Sequence, residues 1–371
     1  MKQRHTYRSY GYQLFCLALL VLLGCSEVID LDAPSEPGQV VLHGRITNGT
    51  LGNTINISLT TIVGQEPRQL SGARVFVSDG QGHSGEYLEV EPGVYELERG
   101  YVGSIGKAYS IEVNLPDGTR IGSRPEVMPT IDAQDSLYFE IRDIEEGSDQ
   151  GVTFTRTVLS VWGDTQIDNP RPDLFLRWNM EEVYTFGQAF LPSQNFPFYD
   201  REICYITETL EDQAIWLYDG SELRAERIVG QHFTDRTIDD SFRAVHYFNL
   251  IQQSITAGAH RFWDAIDQNT NRVGSIFDQP PGEVPTNLVS LDDPDVEVIG
   301  YFEVVATDTA HLKITNVDID RFYPPYCVTP PEVAWVPFMC FPCIERFFEP
   351  ECLNCLLLGD RSSLNRPHYF D

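Results

Sequence analysis

The sequence predicts a mainly β protein. An N-terminal β-sandwich of the immunoglobulin-like or transthyretin-like kind precedes a larger β-sandwich domain with an inserted helical hairpin, and a cysteine-rich tail closes the chain. Three observations predict this. Short segments alternate apolar and polar residues with a period of two, as half-buried strands do. Turn dipeptides separate them: Asn48-Gly49, Asp79-Gly80, Pro92-Gly93 and Asp117-Gly118. A single stretch, residues 240–269, changes to helical spacing.

Residues 1–24 have the three parts of a secretory signal: a basic start (Lys2, Arg4, Arg8), an apolar run over 14–23, and the small residue Gly24. That run is too short to span a bilayer, which takes about 20 apolar residues. Leu22-Leu23-Gly24-Cys25 has the form of a bacterial lipobox, so Cys25 is expected to be the first mature residue and to carry lipid. Residues 25–38 are acidic, contain Pro34 and Pro37, and read as a tether.

The first domain, 39–129, contains strand patterns at 40–46, 54–59, 74–78, 87–90, 94–97, 111–115 and 120–123, and residues 124–129 read as a linker. The second, 130–325, has strand patterns at 136–141, 155–162, 174–180, 203–207, 214–218 and 226–231. In 240–257, Ala244, Tyr247, Phe248, Ile251 and Ile255 fall at helical spacing, with Asp240 or Ser241 as cap and Gly258 as stop. Ala259, Phe262, Trp263 and Ile266 continue as a second short helix. Strands then resume at 273–277, 288–291, 296–305 and 311–315. The tail, 326–371, has too little regular apolar pattern for a core of its own and calls for disulfide bracing.

Charge and motifs narrow the chemistry. With 26 Lys and Arg against 55 Asp and Glu, a net charge of −29, the chain repels phosphate backbones, which excludes nucleic acid as a partner. Neither a G-x-S-x-G elbow nor an H-E-x-x-H pair occurs. Gly100 to Lys107 has the spacing G-x5-G-K, and Ala108 replaces the hydroxyl residue that a phosphate loop needs for magnesium. The expectation is a protein that is not an enzyme and uses no cofactor.

Eight cysteines are present. Cys16 leaves with the leader and Cys25 is lipidated, so Cys204, Cys327, Cys340, Cys343, Cys352 and Cys355 remain. An even number in an exported chain favours three disulfides among 15 possible pairings. Cys340-x-x-Cys343 with Cys352-x-x-Cys355 is also a set that could hold zinc tetrahedrally, and disulfides are the expectation in an oxidising compartment. The acidic groups Asp292-Asp293-Pro294-Asp295 and Asn316, Asp318, Asp320, the latter on one strand face, lack the calcium-loop pattern and read as solvated. Tyr184, Phe186, Phe190, Phe196, Phe198 and Tyr199 crowd a non-alternating segment with Pro192 and Pro197, and form a candidate binding surface.

Taken in order, several segments resemble one family. They are CSEVIDLD (25–32), VLHGRIT (41–47), SGARV (71–75), PGVY (92–95), GKAY (106–109), Arg177-Trp178, Cys204-Tyr205, YFNLIQQ (247–253), FDQPP (277–281), Asn287, VIGYF (298–302) and CLNC (352–355). The chain thereby resembles the Bacteroidetes lipoproteins of domain-of-unknown-function family 4249. The end departs from it: Pro367-His-Tyr-Phe370-Asp stands where the family tends to have Trp, and Cys340-x-x-Cys343 looks like an addition. The resemblance implies an outer-membrane lipoprotein, often encoded beside a TonB-dependent transporter, with no catalytic residues. The acidic stretch after Cys25 resembles a surface-export signal, so the cell surface is expected rather than the periplasmic face. Two roles follow: an accessory partner of the transporter in nutrient or chelate uptake, or a structural component of a surface complex without a small ligand.

Overall fold

The computed structural model describes residues 38–62, 65–147, 153–188, 202–210, 215–270, 283–293, 296–320, 326–327, 349–359 and 361–370. The leader, Cys25, nearly all of the tether, and the strand expected at 273–277 lie outside them. The fold is mainly β, as expected. Strands β1 (Val40–Thr47), β2 (Thr54–Leu59), β3 (Arg68–Gln69), β4 (Arg74–Ser78), β5 (Ser84–Glu91), β6 (Val94–Leu97), β7 (Ala108–Asn114), β8 (Arg120–Ser123) and β9 (Glu126–Val127) make up the first region. Their inward residues, among them Leu42, Ile46, Ile55, Ile57, Val75 and Val113, form a closed core. The segment read as a linker is part of this region, because β9 pairs with β7 and Met128 is buried in the same core.

The second region contains β10 (Ala133–Gly147), β11 (Thr153–Ile167), β12 (Phe175–Gly187), β13 (Ile203–Thr209), β14 (Trp216–Asp219), β15 (Arg227–Thr237) and β16 (His246–Ile255). Helix α1 (Ala257–Thr270), β17 (Leu288–Ser290), β18 (Ile299–Ile314), α2 (Asn316–Ile319), α3 (Pro350–Leu353) and β19 (Ser362–Ser363) follow. Long antiparallel strands β10, β11 and β15 form a separate three-stranded sheet. It covers one face of β12, β16 and β18 and encloses Leu159, Val161, Trp178, Met180, Phe233 and Leu250. This is the expected sandwich, two apolar sheet faces closed on each other.

Two expectations need correction. Residues 240–257 are not a helix: Asp240–Arg243 is one 3-10 turn, and 246–255 are strand β16. Nine of the ten residues of β16 are buried, so the strand has lost the period-two signal, and apolar residues on both faces match helical spacing by accident. Only the second half of the expected hairpin is helical, as α1. The strands expected at 296–305 and 311–315 are one continuous strand, β18, whose polar middle (Thr307, Asp308, Thr309) looked like a break.

Strand β18 joins the two regions. Residues 299–305 pair parallel with β1, and residues 306–314 pair antiparallel with β16. Phe302 and Val304 project into the first core, Ile314 into the second. The β1 contact demands a glycine. Gly300 has φ +110°, and a Cβ there would stand 1.9 Å from the Leu42 carbonyl oxygen.

On the opposite face of this junction lies a buried ion cluster. Glu303 of β18 is wholly buried, with its Oε1 3.6 Å from Arg177 Nη2 of β12 and 3.2 Å from His43 Nε2 of β1. Trp263 of α1 donates to Glu303 Oε2 at 2.9 Å, and Arg177 Nε donates to Gln253 Oε1 of β16 at 2.7 Å. The Arg177 guanidinium also lies 3.9 Å from the centre of the Trp263 ring. Burial alone would push the Glu303 carboxyl up; the Arg177 charge, then His43 and Trp263, hold it down at about 2. Burial lowers the Arg177 guanidinium to about 10 despite Glu303 beside it. The two shifts act on stability in opposite directions, so the pair contributes little net while fixing how five elements meet.

Three outcomes follow. Gly300→Ala should destabilise the chain by roughly 3 kcal/mol or more in denaturant unfolding, because the β1 ladder must part. Glu303→Ala, which strands the Arg177 charge, should cost about 3–5 kcal/mol, and the double change to apolar residues much less. Because the folded Glu303 value of about 2 lies below the ordinary 4.5, its contribution is whole above about pH 4.5 and is lost as pH falls toward 2. The thermal midpoint of Glu303→Gln should therefore fall less steeply with acid across that window than that of the parent chain.

Candidate functional site

Strand β12 runs from the ion cluster at Arg177 to the molecular edge, where Tyr184 and Phe186 project on one face. Its partner β13 places Ile203 opposite Gly187 and Cys204 opposite Phe186. The 3-10 turn Asp240–Arg243 stands alongside, held by Asp239, whose side chain accepts from the backbone N–H and the hydroxyl of Ser241 at 3.0 and 2.6 Å. Together these enclose a cleft of about 270 Å³ lined by Tyr184, Phe186, Ile203, Ser241, Arg243 and Tyr326, with Asp240 at its edge. Tyr326 comes from the tail, is more than half exposed, and has its ring 5.7 Å from that of Phe186. The volume lies near the lower end for small-molecule pockets, about 300–1,000 Å³. It suits a compact ligand or one group of a larger one.

The wall behind Tyr184 is rigid. The buried His246 ring is stacked between Phe242 (4.1 Å, 5°) and Tyr184 (5.5 Å, 17°). His246 Nε2 lies 3.2 Å from Glu182 Oε2, an ion-pair contact without hydrogen-bond alignment, and Arg236 Nε donates to both Glu182 oxygens at 2.9 and 2.8 Å. Burial would raise the Glu182 carboxyl, but His246 and Arg236 hold it well below the usual range. Burial first, then the charges of Glu208 and Glu182, push the Tyr184 phenol far up. Tyr184 therefore stays protonated and donates to Glu208 Oε1 at 3.3 Å, and it cannot act as a base.

One disulfide fastens the tail to this edge and a second closes a loop within the tail. Cys204 bonds Cys355, with Cα atoms 6.0 Å apart, and Cys327 bonds Cys352, with Cα atoms 5.4 Å apart. The first ties the tail to β13 under Phe186. The second fixes the residue next to Tyr326. With Cys352 and Cys355 engaged, neither is a thiolate ligand, so a four-cysteine zinc site cannot form. Further along, β19 pairs with β13, and Phe370 packs on Tyr247 with ring centres 4.6 Å apart.

Of the sequence candidates, Tyr184 and Phe186 come together with Cys204 and Cys355. Phe190, Phe196, Phe198, Tyr199, Cys340 and Cys343 lie outside the described residues, as does Cys25. Ile203, Arg243 and Tyr326 have no place among the sequence candidates, and Asp240 and Ser241 figure there only as helix caps; Tyr326, beside a cysteine, carries the one signal. Other features have structural roles. Lys107 pairs with Asp79 at 3.2 Å, Arg120 grips Asp292 at 2.7 Å, and Asp318 caps α2, accepting from the Thr315 N–H at 2.7 Å. Asn316 and Asp318 belong to this helix, whose C-cap is Asp320, not to the strand face expected. Among the described residues, no three His, Cys, Asp or Glu are grouped to hold a metal, and no helix is long and apolar enough to cross a membrane.

These features define a mainly β protein with an aromatic cleft and a disulfide-fastened tail. The chain belongs to the family described as a domain of unknown function, DUF4249, whose model matches residues 26–311. No curated protein and no solved structure matches it. The matched span includes the β12, β13 and 3-10 walls of the cleft, and Tyr326 and the tail lie beyond it.

Mass spectrometry without reductant should find no free thiol at Cys204, Cys327, Cys352 or Cys355. Cys355→Ser should release the tail and destabilise the chain by roughly 3–5 kcal/mol, since the lost link spans 151 residues. Denaturant unfolding with and without reductant measures the difference.

Proposed function

We propose that this protein is a lipoprotein anchored through Cys25 on the cell-surface side of the outer membrane. There it acts as an accessory to a TonB-dependent transporter, holding a nutrient or chelate for uptake. The observation that carries the binding role is the cleft at the end of β12, which has aromatic walls, a backing locked by stacking and ion pairs, and a polar edge formed by Asp240, Ser241 and Arg243. Rigid aromatic surface gives contact area at low entropic cost, and nearby polar groups select orientation. The lipobox residues and the short tether support the anchoring, since several acyl chains hold a protein nearly permanently at a bilayer. No nucleic acid and no cofactor enter this reading.

The test is purification of the full chain from its native membrane in mild detergent, identifying both co-purifying proteins and small molecules. An outer-membrane transporter barrel and a small ligand are expected. Tyr326→Ala, an exposed change, should keep the barrel and weaken ligand retention about tenfold, roughly 1.4 kcal/mol. Cys25→Ser should abolish acyl labelling and release the chain from the membrane. Recovery of other surface proteins without a barrel or a ligand would favour a structural component of a surface complex instead.

A further inference from the structure

A buried polar cluster is built into the sandwich, distinct from the aromatic cleft. Its floor is β16, where Gln252 and Ser254, two residues apart, share one face of the strand. They are 2% and 1% exposed. From the facing sheet, Asp135 of β10 comes down on Gln252. Its Oδ2 accepts from Gln252 Nε2 at 2.8 Å and from Trp178 Nε1 at 3.0 Å, and its Oδ1 accepts from Thr165 Oγ1 at 2.5 Å. Asp308 of β18 is the direct cross-strand partner of Gln252. That register places their β-carbons about 4.5–5.5 Å apart on one face.

Two oxygens at this place have no protein partner, Gln252 Oε1 and Ser254 Oγ. The Gln252 amide is oriented with its nitrogen on the Asp135 carboxylate at 2.8 Å, which leaves its oxygen on the other side. An amide oxygen only accepts, so it needs a donor or a cation. A buried polar atom left bare costs about 1–3 kcal/mol. The local charge decides between the two. Two carboxyl groups, Asp135 bonded to Gln252 and Asp308 across the ladder from it, stand at this place. Among the described residues, neither Asp135 nor Asp308 forms an ion pair with Lys, Arg or His.

We infer that this cluster binds a hard cation, calcium, through Gln252 Oε1, Ser254 Oγ and the carboxylates of Asp135 and Asp308. Calcium takes about 6–8 oxygen ligands of mixed carboxylate, amide and water type. Half of this set is neutral oxygen, so it contains no trio of His, Cys, Asp or Glu. Asp308 is exposed, which gives the ion a way in and lets water complete its shell. The site lies across β10, β16 and β18, so an ion there would clamp the two sheets of the second sandwich together. It stands independently of the transporter reading.

The probe is terbium, a calcium mimic whose luminescence is sensitised by a nearby tryptophan, and Trp178 adjoins the site through its 3.0 Å bond to Asp135. Added to the purified full chain, terbium should give a signal that saturates at one equivalent and is displaced by calcium. Calcium alone should raise the thermal midpoint. Asp308→Asn, an exposed change, and Ser254→Ala, a small one, should each weaken calcium binding by roughly tenfold or more and flatten the midpoint response. Non-saturating luminescence would mean diffuse binding to the acidic surface and would overturn the site. Calcium binding unchanged in both variants would also overturn it, leaving a buried water as the partner of the two oxygens.

Discussion

Both cores depend on β18 being shared, and sharing it depends on a close approach between two backbones. Over residues 299–305 the strand lies parallel to β1, and over 306–314 it lies antiparallel to β16. Parallel neighbours need long connections, and here the connection runs from Thr47 to Ile299, so this pairing is among the least local contacts in the fold. Nothing nearby in sequence enforces it. Gly300 lets β18 meet Leu42, and the Glu303 cluster on the other face draws in β1, β12, β16 and α1. An apolar junction of equal size would hold as well but would tolerate slippage. A carboxylate with three named partners does not.

The cleft inherits its rigidity from that junction. Strand β12 carries Arg177 at one end and Tyr184 and Phe186 at the other; β16 pairs with its residues 175–184 on one side, and on the other β14 pairs with residues 175–178 and β13 with residues 181–187. A continuous paired strand of this kind transmits position well, because shifting one end breaks the ladder along its length. The opposite wall has a different support. Tyr326 stands on short tail elements braced by two disulfides and meets the Phe186 ring, so the first wall rests on a hydrogen-bonded ladder and the second on covalent links. The first wall falls within the family match and the second beyond it. The tail can thus alter the mouth of the cleft without touching the sheet that floors it.

Much of the fold was legible in the sequence because many of its strands are half-buried. Residues 54–59, 74–78 and 94–97 have the limits that the pattern predicts, since one face of each meets water and preserves alternation, and 120–123 also matches although Ile121 and Gly122 are both buried. Strand β16 was misread for the opposite reason: buried on both faces, it presents apolar residues at every spacing. The sharing of β18 was invisible, because periodicity reports which face is buried and never which strand lies beside it. The site was half legible. Tyr184 and Phe186 stood out by aromatic crowding, but Ile203, Asp240, Ser241 and Arg243 are ordinary residues made significant only by β13 and the 3-10 turn arriving next to them.

The buried carboxylates show how this very acidic chain handles charge that it cannot leave in water. Glu303 and Glu182 each have an arginine within 4 Å and are held low. Glu126 and Asp135 have only neutral donors, Tyr301 and Thr256 for the one and Trp178, Gln252 and Thr165 for the other, and burial pushes both up. Glu126 nonetheless leaves no bare oxygen around it, so its environment is complete as it stands. Asp135 differs because the amide that donates to it exposes an unmet acceptor on its other side, next to a second carboxylate. A cation answers both at once, and for that reason the unmet oxygens, rather than the acidity, distinguish this site from every other acidic cluster described on the chain.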